Sequence, residues 1–277
     1  MTGTLSQIIT LVSYGNDFLW HGNLPADFYP NNDAFLHCNS VGFLQFKSSL
    51  FSSKQKEITV AENPIEWFTH LKKEKCTNLR LFYQPTKNQV QAPDHKMAGF
   101  TGGGGSWYME AVYSGYSNYW ASRWLVSDEK AADKRIWAVS YGQTSSKQAS
   151  NSVPAFVLSA RNTLIESLSE TITFCEEFKL NNWKAIFEKA REQIYNPMPG
   201  EGFPNPEWLA PGIHSHTALQ LLYASNAAWV FGGMGSWNDQ VFEDKEINGR
   251  YERLSAQLYN AINGAIMASV NNDQPKI

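Results

Sequence analysis

Apolar residues recur along this 277-residue chain in two different rhythms, and the change between them falls near residue 150. Before it, short runs rich in aromatic and β-branched residues are bounded by Gly, Asn and Asp. They are VGFLQF (41–46), EITVA (57–61), NLRLFYQ (78–84), WYMEAVYS (107–114), YWASRWLV (119–126) and RIWAVSYG (135–142). That enrichment and punctuation predict strands. GYSN and SDEKAADK separate the last three runs, short enough for hairpins, so these strands should pair antiparallel as a meander. Two helical patterns share this half. Leu5, Ile8, Ile9 and Val12 follow the spacing of an amphipathic N-terminal helix. NPIEWFTHLKKEKC offers Asn63 as N-cap, Pro64 at the first helical position and an apolar stripe of Ile65, Phe68 and Leu71, which predicts a crossover helix.

After the polar stretch 142–152, read as a surface loop, the period becomes helical. Val157, Ala160, Leu164, Leu168, Ile172 and Cys175 make one stripe, and Trp183, Ile186, Phe187, Ala190 and Ile194 another. A Pro/Gly-rich link (196–215) precedes HTALQLLYASNAAWVF, and a last helix from about Arg250 to Val270 carries Tyr251, Leu254, Leu258, Ile262, Ala265 and Ile266. The expected fold is α+β: a meander-rich antiparallel sheet from residues 1–147, packed against a layer of about four helices from residues 153–277, in one composite domain.

Composition narrows the partners. Hydrophobic residues make up 43% of the chain and aromatic ones 14%, enough for a large core or an interface rich in rings. A net charge of −3 offers no field for duplex nucleic acid. Cys38, Cys76 and Cys175 lie far apart without a CxxC, which reads as buried thiols in a reducing compartment. The opening MTGTLSQIITLVSYGND has neither a basic region nor a cleavage motif, and its apolar run is too short for a bilayer. A cytoplasmic protein without a membrane partner is expected.

Two near-identical runs carry the candidate chemistry, GGGGSW (102–107) and GGMGSW (232–237). The first reads as a strand-entry turn. The second reads as a helix C-cap, with Gly232 or Gly233 left-handed and with Ser236 or Asn238 capping the next turn of chain. The settings differ, so a duplicated domain is not indicated. Neither run continues as a P-loop or as GxGxxG in a βαβ unit, so no nucleotide cofactor is expected. His214 and His216 form an HxH before a helix start, with Ser215 or Thr217 as its cap. The remaining histidines are scattered, no HExxH occurs, and no metal site is expected.

Alternation in YWASRWLV puts Trp120, Ser122, Trp124 and Val126 on one face and Tyr119, Ala121, Arg123 and Leu125 on the other. A core of cross-strand aromatic pairs is the simpler expectation. An exposed face keeping Tyr119, Arg123, Arg135 or Tyr141 would suit a protein, a sugar or a single-stranded base.

Two functions are consistent with these residues. The first is a non-enzymatic binding or protein-interaction protein, with a protein or small-molecule partner. Its contact residues would be Gly102, Gly103, Gly104, Gly105, Trp107, Trp120, Arg123, Gly232, Gly233, Gly235, Trp237 and Asn238. The alternative is a hydrolase or transferase with a pocket between the two turns, Asp239 as acid or base and Ser106 or Ser236 as polar contacts. Convergence of the turns in one cleft discriminates between them.

Overall fold

The computed structural model describes residues 1–49, 52–86, 93–100, 102–149, 156–201 and 206–271. Its strands are β1 (Cys38–Ser49), β2 (Ser52–Ala61), β3 (Asn78–Gln84), β4 (Ser106–Tyr113), β5 (Tyr116–Val126) and β6 (Trp137–Gln148). Its helices are α1 (Gly3–His21), the short α2 (Phe28–Asn31), α3 (Pro64–Lys73), the short α4 (Asp94–Met97), α5 (Val157–Glu177), α6 (Asn181–Gln193), α7 (His216–Ala227) and α8 (Lys245–Val270). The protein is thus of mixed α+β architecture.

One sheet has the order β2-β1-β6-β5-β4-β3. β1 and β2 form an antiparallel hairpin, and β4 to β6 form the expected meander, which β3 extends by pairing antiparallel with β4. The two are joined by a parallel pairing of β1 with β6, which a pure meander does not contain. The cause is α3. It carries the chain from β2 at one edge to β3 at the other, so the meander returns and its last strand docks beside β1 in the same direction. β6 also runs through most of the polar stretch expected to be a loop, because β5 pairs with it as far as Ser117 opposite Gln148. Residues 150–155 of that stretch and its continuation lie outside the described residues.

The layer order departs from expectation as well. α1 and α3 lie against the sheet. Of the C-terminal helices, α8 packs on β3, α5 and α7 pack on α8 and on each other, and α6 packs on α5 and α7. α1 is therefore a central helix, covered on both sides. Leu5, Ile8, Ile9 and Val12 are fully buried, but so are Gln7, Thr10 and Ser13 on its other faces. Buried polar groups require partners. Gln7 donates to the Ala34 carbonyl at 3.0 Å and accepts from the Tyr141 hydroxyl at 2.7 Å. Asn16 accepts from the Leu79 amide at 2.7 Å and donates to the Leu79 carbonyl at 2.9 Å, pinning α1 to β3.

Aromatic rings fill two cores. Under the sheet, Phe43 stacks on Trp67 with centroids 4.3 Å apart, and Trp120 meets Trp67 edge-on at 5.5 Å. Among the C-terminal helices, Trp237 is enclosed by Trp183, Phe187 and Tyr251. No helix among the described residues is long and apolar enough to cross a membrane.

Candidate functional site

The segment just ahead of the first glycine run meets the second run. Gly99, just ahead of the first, packs its α-carbon directly on the Gly232 carbonyl and the Gly233 nitrogen, with no room for a side chain. The Asn238 side-chain amide (Nδ2) donates to the His95 carbonyl at 2.9 Å and ties α4 to the end of the second run. The first run folds over two phenols. Tyr259 donates to the Gly104 carbonyl at 2.5 Å, and the Tyr83 hydroxyl lies 3.0 Å from the Asp94 carboxylate. Burial, with Tyr259 and Asp94 beside it, pushes the Tyr83 phenol far above its ordinary value, so it remains a donor. Gly105 has φ +81°, and a β-carbon there would sit 2.7 Å from the Tyr83 ring.

The second run is not the helix cap expected of it. α7 stops at Ala227, and its cap, Ala228, is right-handed. Trp229 and Phe231 leave the helix to pack on Tyr259, with ring centroids 5.9 and 5.0 Å away. Gly235, not Gly232 or Gly233, takes the left-handed conformation, at φ +82°. Ser236 does cap the short 3-10 turn after it, accepting from the Asn238 amide at 3.3 Å. Asp239 closes the same turn by accepting from the Gly235 amide.

Trp107 and Trp237 end in different places. Trp237 is wholly buried and donates its indole N–H to Ser255 at 2.7 Å. Trp107 lines a cleft of about 690 Å³ at the end of the sheet where α1 begins. Trp107, Trp124 and Trp137 of the sheet, Trp229 after α7, Gly102 to Gly105 and, at the start of α1, Thr2, Gly3 and Thr4 all line it. Trp124 and Trp137 meet edge-on at 6.0 Å, and Trp107 leans on Tyr83 at 4.8 Å. These tryptophans belong to the same sheet face as the core residues Met109, Trp120, Val139 and Tyr141, continued past the start of α1. No Asp, Glu, His, Lys, Arg or Cys is among the described residues that line it. An adjoining hollow of about 540 Å³ shares Thr2, Ala98, Gly99 and Trp229 with the cleft and reaches Gly232 and Gly233.

The remaining sequence candidates scatter. Trp120 is a core residue, only 1% exposed. Tyr119 and Tyr141 are buried too, their hydroxyls bonded to Glu110 and Gln7, so neither offers the exposed ring that was the alternative to an aromatic core. Arg123 is exposed there and lies 3.5 Å from Glu57. Ser106 is exposed at the cleft rim. Sequence reasoning passed over Trp124, Trp137 and Trp229 as contact residues. Trp124 was visible as the next tryptophan on the inward face after Trp120, whereas Trp229 was hidden by the assignment of 228–231 to a helix.

Other ionisable groups are enclosed. The Ser13 hydroxyl lies 2.7 Å from His214 Nε2, resembling a nucleophile and base, but Ser13 is fully buried and accepts from the Ala210 amide. Burial pushes the His214 imidazole down to about 4. His95, also lowered by burial, lies 3.4 Å from Glu252, which Lys96 contacts at 2.6 Å. The three cysteines are buried free thiols, and burial raises Cys76 and Cys175 to about 12. No group of three or more His, Cys, Asp or Glu side chains able to hold a metal ion occurs among the described residues. Compared with known proteins, the chain matches no family model, no curated protein and no solved structure.

Proposed function

We propose that this chain is a binding protein whose partner inserts a flat apolar group into the tryptophan-lined cleft. One observation carries the reading: a concave site of about 690 Å³ is walled by indole rings and glycine backbone, with no charged or imidazole side chain among its described lining residues. Such a lining supplies stacking and dispersion but no acid, base or nucleophile beyond hydroxyls. A hydrolase or transferase between the glycine runs is served less well. Asp239 is committed to the Gly235 amide and Ser236 to capping, and Trp237, next to Ser236, is packed inside.

The tryptophan indole N–H resonances provide the test. Indole, naphthalene and methyl glycosides added to labelled protein should move the Trp107, Trp124, Trp137 and Trp229 signals, leaving the buried Trp67 and Trp237 signals in place. Cleft signals unmoved by every probe would remove the reading. Turnover of ester or phosphoester substrates, lost in Asp239→Asn, would favour the enzyme instead.

A further inference from the structure

The cleft exists because the sheet splits. Pairing of β4 with β5 runs from Tyr113 opposite Tyr116 to Met109 opposite Trp120 and ends there. β4 nevertheless continues back to Ser106, paired with β3, and β5 continues to Val126, paired with β6. Had the ladder gone on, Tyr108 would face Ala121 and Trp107 would face Ser122. Instead all four line the cleft, residues of both sheet faces bordering one cavity, as parted strands require.

From Ala121 to Val126, β5 is thus bonded to β6 on one side and turns its other edge to the gap. Alternate residues there present main-chain N–H and C=O groups without a strand partner among the described residues. Proteins commonly protect such edges with charge, proline, bulges or a covering element. This edge carries no proline and one charge, and it leaves Leu125 57% and Val126 48% exposed.

Taking the cleft as the binding site proposed above, we infer that it accepts an extended peptide segment of a partner protein, which adds to β5 as a strand in the gap beside β4. Main-chain groups repeating at about 3.3 Å per residue are matched by another extended backbone. A sugar or a heterocycle would cover the tryptophans and leave the edge unpaired. Every second side chain of the added strand lands on Trp124, Trp137 and Trp229, so those positions are aromatic or aliphatic. The charge of the partner is set by the same surroundings. No acidic side chain is among the described lining residues, and the first turn of α1 at the cleft end has none. The Arg123 side chain is 57% exposed on the open strand, and its one ion pair among the described residues is a surface contact with Glu57 at 3.5 Å. An acidic residue on the added strand complements Arg123 across the new pair.

The test is selection of phage-displayed random linear octapeptides on the full chain, followed by calorimetry with the enriched peptide. Enriched sequences should alternate apolar and other residues and include an acidic one. Methylating the peptide amides one at a time should weaken binding about tenfold at every second position and little between. Arg123→Glu, on an exposed side chain, should weaken the acidic peptide, and exchanging that acid for lysine should restore binding. A methylation scan without period two, or binding indifferent to both Arg123→Glu and Trp124→Ala, overturns the inference. So does a concentration-dependent dimer that excludes the peptide, which would assign the edge to a second copy. Indole probes that move the cleft resonances while no peptide binds would remove the strand partner alone, and silence from both would remove the cleft as well.

Discussion

Acidification should destabilise this protein through His214 in particular. Its imidazole is packed between the Ser13 hydroxyl, 2.7 Å from Nε2, and the main-chain carbonyl of Ser269, and burial lowers it from 6.5 to about 4. The folded state keeps the ring neutral, whereas the unfolded chain protonates it at the ordinary value. Between those two values the unfolded state binds the extra proton. The contribution is therefore complete above about pH 6.5, declines as pH falls toward about 4, and is absent below. At about 1.4 kcal/mol per pH unit the full depression is worth about 3 kcal/mol. That is a large part of the roughly 5–15 kcal/mol that holds a domain together. His95 is also lowered by burial, with Lys96 assisting and Glu252 and Asp94 opposing, and it adds loss of the same sign. The measurement must therefore be a difference. Urea denaturation of the wild type and of His214→Gln, which retains a hydrogen-bonding side chain without the titration, should give free energies whose gap changes by about 3 kcal/mol between about pH 7.5 and pH 4. Parallel curves would show that His214 does not titrate as its surroundings require.

Three further outcomes are expected from the geometry. Asn16→Ala strips both polar groups of Leu79 of their buried partners and should cost about 2–4 kcal/mol in denaturant titration; a loss within about 0.5 kcal/mol would mean that α1 is not pinned there. Gly99→Val forces a side chain onto the Gly232 carbonyl, and parting Gly99 from the second run should cost about 1–3 kcal/mol and shift the Trp229 indole resonance; an unchanged spectrum would refute the contact. Cys76 and Cys175, buried and raised to about 12, should be silent toward Ellman's reagent in native protein at about pH 8 and react on unfolding; rapid native reaction would contradict their enclosure.

Local patterns were strong where one residue type decides the backbone. Asn63 and Pro64 open α3 as their types dictate, the Asn63 side chain accepting from the Glu66 amide at 3.0 Å. Ser215 caps α7 by accepting from the Ala218 amide at 3.2 Å. Patterns failed where a distant contact outweighed propensity. Ala227 to Phe231 can continue a helix, but docking Trp229 and Phe231 on Tyr259 ends α7 early. Likewise α1 carries an apolar stripe that reads as amphipathic, yet Gln7, Ser13 and Asn16 find partners so distant in sequence that the helix is buried on every face from Gln7 to Asp17.

By itself, the sequence determined the kind of each long strand and helix, the buried thiols and the inward alternation of the tryptophans, because these depend on periodicity and on side chains near in the chain. Tertiary structure decided the rest. It placed β6 beside β1, set α1 at the centre, brought Gly99 against Gly232 and parted β4 from β5, so that tryptophans following a core pattern line an open cleft. None of these is a local property. Each depends on which distant surfaces meet, and a period read along one strand is the same whether a helix covers its end or stops short of it.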